Sequence, residues 1–124
     1  MKGILWITLN PTHLPKGRYE IQPHSHVTLQ FNVEHESVRH LLNQKVELFG
    51  ASLHHSDEIG IEAIAILLPE EWKSLCKNPV PHITLSHRKD VKPVQSNAMF
   101  KGKNFMIPQL NLNLEGVTEF HEFV

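Results

Sequence analysis

His26-Val27-Thr28-Leu29 and His82-Ile83-Thr84-Leu85 carry one pattern (histidine, apolar, threonine, apolar), once in each half of a 124-residue chain. In extended backbone, neighbouring side chains point to opposite sides. Each copy therefore projects an imidazole and a hydroxyl together and anchors two aliphatic groups behind them. The alternation runs on through residues 25–32 (SHVTLQFN), with His26, Thr28 and Gln30 against Val27, Leu29 and Phe31. Residues 82–86 (HITLS) repeat it behind Pro79 and Pro81. Both segments read as half-buried strands whose polar side faces a cleft or solvent.

Working outward, residues 3–9 (GILWITL) form a short apolar run, closed by Asn10-Pro11, that predicts a buried strand. Pro15, Gly17 and Pro23 mark residues 12–23 as loop. Val38, Leu41 and Leu42 share one stripe, which predicts a short helix over residues 36–42. Residues 45–53 and 59–68 read as two strands joined by a polar turn at His54-His55-Ser56-Asp57. Residues 69–72 suit a helical turn, and a short helix is expected from Ser96-Asn97. Residues 110–114 alternate cleanly, and residues 117–123 follow as a last strand around Gly116. The expectation is an α+β chain of mostly antiparallel strands with a few short helices, forming one domain over residues 1–124.

Composition narrows the function. Twelve Lys and Arg against thirteen Asp and Glu give a formal charge of −1, which excludes a broadly basic nucleic-acid coat. The lone cysteine, Cys76, excludes an internal disulfide framework and a thiolate zinc cluster. The longest apolar stretches are far too short to cross a bilayer, and residues 1–3 lead into a strand rather than a signal peptide. A monomeric cytoplasmic protein without a membrane partner is expected. The compositional oddity is ten histidines.

Two strand-borne His/Thr pairs meeting at one groove suit phosphodiester chemistry. In-line displacement at phosphorus needs a base behind the attacking oxygen and an acid beside the leaving oxygen. Imidazoles with an ordinary pKa of about 6.5 can fill either role near neutral pH. Thr28 and Thr84 would donate hydrogen bonds to the phosphate oxygens. A strained cyclic ester is already activated, so no metal or other cofactor is required. A His24–His26 or His54–His55 metal site would need further convergent ligands, and no such cluster is visible.

The paired motifs resemble those of the 2H phosphoesterase superfamily. The second copy, Pro81 to Ser86, followed by Val91-Lys92-Pro93-Val94-Gln95-Ser96-Asn97, is similar to the cyclic phosphodiesterase domain of fungal- and plant-type tRNA ligases. Gly116-Val117-Thr118-Glu119-Phe120 resembles the last strand of that domain. The resemblance implies a two-lobed α+β fold with approximate twofold symmetry, one motif per lobe and a central cleft. It implies hydrolysis of an RNA 2′,3′-cyclic phosphate end, commonly to a 2′-phosphate, in a tRNA-splicing or RNA-repair setting. His26 and His82 would be the acid and base, in an order left open, and Thr28 and Thr84 the phosphate ligands. With no room for ligase or kinase modules, the chain would act alone or beside an RNA ligase or kinase.

Several residues around the motifs are weaker candidates for substrate contact. Lys92 could meet phosphate, Ser86 continues the second motif, and Tyr19 offers a ring for a nucleobase. Trp6 reads as core, Trp72 as a second possible platform, and Ser96-Asn97 as a helix cap or loop tie. Lys16, Arg18, Arg88, Lys89 and Lys92 flank the motifs as a possible positive rim. The remaining histidines, His13 and His121 among them, read as surface. Two other functions fit the same groove: a 2H phosphodiesterase acting on 2′-5′ oligonucleotides, ADP-ribose cyclic phosphate or a cyclic nucleotide, and a non-catalytic module that binds an RNA end or nucleotide.

Overall fold

The computed structural model describes residues 2–10, 12, 14–101 and 105–123. Pro11 and His13 lie outside them. The strands are β1 (Lys2–Leu9), β2 (His26–Glu34), β3 (Lys45–Ser56), β4 (Ile61–Leu67), β5 (His82–His87) and β6 (Phe105–Glu122). They close into one antiparallel barrel in the order β1-β2-β5-β4-β3-β6. Among the described residues the helical elements include α1 (His35–Val38), α2 (Glu70–Lys73), α3 (Ser96–Lys101) and the 3-10 turns Arg39–Leu41 and Pro93–Gln95.

This overturns the two-lobed α+β architecture. The duplicated motif suggested duplicated lobes, yet β2 and β5 are neighbours in a single closed sheet. The element that joins the halves is β6. Residues 110–114 and 117–122 belong to one 18-residue strand that pairs with β3 on one side and β1 on the other, and Phe123 lies just past its end. Its passage across β1 depends on Gly116, where a Cβ would lie 2.4 Å from Ile7 Cγ2 and 2.8 Å from the Thr8 carbonyl. The helix expected over residues 36–42 is also broken, into one α turn and one 3-10 turn, at Val38, whose φ −120° and ψ 0° leave the helical region. His54, His55 and Ser56 extend β3 rather than turning, and the turn falls at residues 57–60, where Gly60 takes φ +89°.

Alternation decides what fills the barrel. Leu5, Ile7, Leu9, Val27, Leu29, Val46, Leu48, Ile64, Ile83 and Leu85 all point inward and are buried. Strand β4 is covered on both faces, because Ile61 and Ala63 pack outward against Val91 and Met99 beneath α3. Trp72 joins the main core from α2. In β2, Asn32 is an extra residue opposite Gly3/Ile4 at φ +60°, a left-handed conformation that asparagine tolerates, and the resulting bulge bends the strand. Among the described residues, no helix is long and apolar enough to cross a membrane.

Candidate active site

The thinnest seam of the barrel lies between β2 and β5, which share a single register pair, Val27↔Ile83. Both residues are 0% exposed. An antiparallel register centred there aligns His26 with Thr84 and Thr28 with His82, all on the outer face. The two tetrapeptides are thus related by a local twofold through the Val27/Ile83 pair. Beyond it the strands part, and the segment before β5 takes over the edge of β2. Lys77 N–H donates to the Leu29 carbonyl at 2.8 Å, and Gln30 Nε2 donates to the Leu75 carbonyl at 2.9 Å. The gap becomes a cavity of about 740 Å3 lined by all four motif side chains. That size suits a small-molecule or nucleotide ligand. Phe31, Val80, Val94 and Phe100 add apolar walls, and Lys77 adds a cation.

Each histidine is held in the same way. His26 Nδ1 lies 2.8 Å from the His24 carbonyl and His82 Nδ1 lies 2.7 Å from the Val80 carbonyl, in each case two residues upstream. A carbonyl oxygen only accepts, so Nδ1 carries the hydrogen in both rings and Nε2 keeps its lone pair when the ring is neutral. The surroundings then differ. His26 stacks on Trp6 with ring centroids 4.0 Å apart, and its Nε2 has no hydrogen-bond partner among the described residues. His82 Nε2 lies 2.7 Å from Ser96 Oγ, and its ring packs against Phe100 at 5.0 Å.

Burial disfavours the charged form of both rings. It pushes His26 down to about 4, opposed by the hydrogen bond to His24 and helped slightly by repulsion from His24, His82 and His121. Burial also lowers His82, opposed by its bond to Val80. Protonating either ring inside this cavity therefore costs more than it would in water.

Other candidates are held elsewhere. Tyr19 and Ser86 do not line the cavity. Ser86 is fully buried and donates to Glu62 Oε1 at 2.8 Å while its oxygen accepts the Tyr19 N–H at 3.1 Å. The loop reaches Ser86 only because Gly17 has no Cβ, which would sit 2.6 Å from Ser86 Cβ. Tyr19 Oη donates to Asp57 at 2.5 Å. Burial and that bond push the tyrosine up to about 12, and Tyr19 and Arg18 hold Asp57 below its usual range. Lys92 is exposed outside the cavity lining. Of the expected positive rim, Arg18 pairs with Asp57 at 3.3 Å, Arg88 donates to the Asp57 carbonyl at 2.6 Å, and Lys89 pairs with Glu20 at 3.9 Å.

Conversely, Trp6 is not core. It alternates outward on β1 and stacks on His26 and on His121, at 4.7 Å. Its odd-even position relative to buried Leu5 and Ile7 was the available signal. Phe100 and Lys77 carried none. Cys76 donates weakly to the Thr28 and Asn78 carbonyls, and burial pushes its thiol up, away from reactivity. Among the described residues, no group of three or more His, Cys, Asp or Glu side chains could hold a metal ion.

The family model for the fungal tRNA ligase phosphodiesterase domain matches residues 34–119. The chain belongs to that family. It is therefore a cyclic phosphodiesterase, related to the domain that serves tRNA ligases. A comparison with curated proteins gives no match. The matched span holds the second motif, the Lys92–Asn97 stretch and most of β6, and it begins after the first motif. What sets His26 and Thr28 beside this phosphodiesterase signature is the β2–β5 pairing.

Proposed function

We propose that this phosphodiesterase hydrolyses the 2′,3′-cyclic phosphate at an RNA end, without a metal, using His26 and His82 as base and acid and Thr28 and Thr84 as phosphate ligands. The observation that carries the reading is the delivery of both His/Thr pairs into one cavity from adjacent antiparallel strands. A phosphate lying across the local twofold has one imidazole toward each side, as in-line attack requires.

His26 is assigned as the base because it is neutral near pH 7 and its Nε2 is open to the cavity. Nε2 takes a proton from water as the water oxygen attacks phosphorus. The P–O3′ bond breaks, and His82 Nε2–H delivers a proton to the departing 3′ oxygen. The products are a 2′-phosphate and a 3′-hydroxyl, and exchange with solvent resets both rings. The threonine hydroxyls donate to the non-bridging oxygens as charge builds on them. A positioned acid or base contributes about 10²–10⁴-fold each. The apolar walls and the single cation among the lining side chains suit one or two unpaired nucleotides rather than a duplex. An RNA ligase or kinase would supply or consume the processed end.

Phosphorus NMR of the product from a nucleoside 2′,3′-cyclic phosphate tests the reading, with 2′-5′ oligonucleotides, ADP-ribose cyclic phosphate and cyclic nucleotides as competitors. The expected result is a 2′-phosphate formed in the presence of chelator. Activity lost to chelator and restored by a divalent ion would overturn the metal-free mechanism. Tight binding of the cyclic phosphate without product would instead point to a binding module.

A further inference from the structure

Ser96 opens α3 and lines the cavity, yet it is only 1% exposed. Its hydroxyl has one hydrogen and three partners: His82 Nε2 at 2.7 Å, the Pro93 carbonyl at 2.9 Å and Thr84 Oγ1 at 3.1 Å. Thr84 Oγ1 also lies 3.4 Å from the Pro93 carbonyl. Nothing among the described residues plays this part for His26 and Thr28, so the otherwise matched motifs differ at this point.

We propose that Ser96 is a positioning residue whose hydroxyl holds His82 Nε2 in both charge states, donating to the neutral ring and accepting from the charged one. With His82 neutral, Nε2 can only accept, so Ser96 donates to it and Ser96 Oγ accepts from Thr84. With His82 protonated, Nε2–H donates to Ser96 Oγ and Ser96 turns its hydrogen to the Pro93 carbonyl. Ser96 Oγ keeps a second lone pair that still accepts from Thr84, so Thr84 donates to a phosphate only when the anion competes for its hydrogen. The departing 3′ oxygen must likewise draw the Nε2–H away from Ser96 before His82 acts as the acid. The titratable group facing His82 from β2 is His26, whose own ring feels the charge of His82, and Lys77 stands in the cavity wall. The inference rests on the roles of His82 and Thr84 proposed above, but its test does not depend on turnover.

The test is Ser96→Ala, followed by NMR titration of the His82 and His26 ring protons in the free protein. An imidazolium N–H buried without its acceptor loses more than a neutral ring losing a donor, since charge-assisted bonds are about twice as strong. The His82 midpoint should fall by about one pH unit while that of His26 stays in place. The alkaline limb of the pH–rate profile should move down with it, lowering kcat about tenfold at pH 7.5. Ser96→Thr, which keeps the hydroxyl, should restore the midpoint. A folded Ser96→Ala protein with an unmoved His82 midpoint overturns the proposal, whatever its activity. If that variant does not fold, nitrogen-15 shifts of the wild-type rings decide. Nε2 of neutral His82 should show the displacement of a hydrogen-bonded acceptor relative to His26, and equal shifts refute the inference. A displaced midpoint together with full activity in His82→Ala would keep the coupling and sink the catalytic role.

Discussion

Acidification should speed this enzyme, contrary to the habit of reading a two-histidine site as optimal at neutral pH. His26 is held neutral down to about 4, so as a base it stays competent across the range from pH 7.5 to 5.5. His82 must be protonated to act as the acid, and its burial lowers its pKa below the ordinary value of about 6.5. Even at 6.5, only about a tenth of His82 would be protonated at pH 7.5 and about nine tenths at pH 5.5. A lower value makes the rise steeper, so kcat/KM should increase by roughly ten- to a hundredfold over that interval. The optimum should lie between about 4 and 6.5, with the apparent values belonging to the coupled pair. The assay is the initial rate on a nucleoside 2′,3′-cyclic phosphate at constant ionic strength, with circular dichroism at each pH to show that the barrel is intact. A rate that is flat or falling from pH 7.5 to 5.5 in folded protein would refute the assigned roles.

The same burial carries a stability cost. Because the unfolded chain binds a proton at His26 near 6.5 and the folded chain only near 4, stability should fall by up to about 3 kcal/mol as pH drops through that window. Below it no further loss is expected from this group, and denaturant titration of wild type against His26→Gln should show a flatter dependence in the variant. His26→Ala and His82→Ala should each cost about 10²–10⁴-fold in kcat with the fold retained, read by single-turnover kinetics. Val27→Ala at the seam removes a fully buried side chain from the one β2–β5 register pair and should cost about 2 kcal/mol or more, measured by urea unfolding. Gly116→Ala must displace Ile7 or the Thr8 carbonyl, and should lower Tm by more than an ordinary exposed glycine substitution does.

Strand alternation is a local property, and it was readable wherever two faces of a strand meet different solvents. The inward Val27, Leu29, Ile83 and Leu85, and the shared outward face of His26, Thr28, His82 and Thr84, follow from period two, whereas Phe31, read to the same side as Val27 and Leu29, is 68% exposed. The phosphodiesterase resemblance likewise rested on short stretches, the paired tetrapeptides with Pro81–Ser86, Val91–Asn97 and Gly116–Phe120, that need no fold to be recognised. Tyr19 and Ser86 sit near the motifs in sequence yet serve other contacts, and Lys92 is exposed outside the cavity lining, because proximity along a chain says little about which wall a side chain joins.

Which strands become neighbours depends on pairings between distant residues, and no local pattern encodes those. The repeat was compatible with two lobes or with two adjacent strands. Closure of the barrel through the long β6 chose the second. Only that closure separates the two histidines chemically: it leaves one against Trp6 with an open nitrogen and sets the other on Ser96. Tetrapeptides of one pattern acquire different surroundings because ring contacts and hydrogen bonds are imposed by whatever the rest of the chain packs around them.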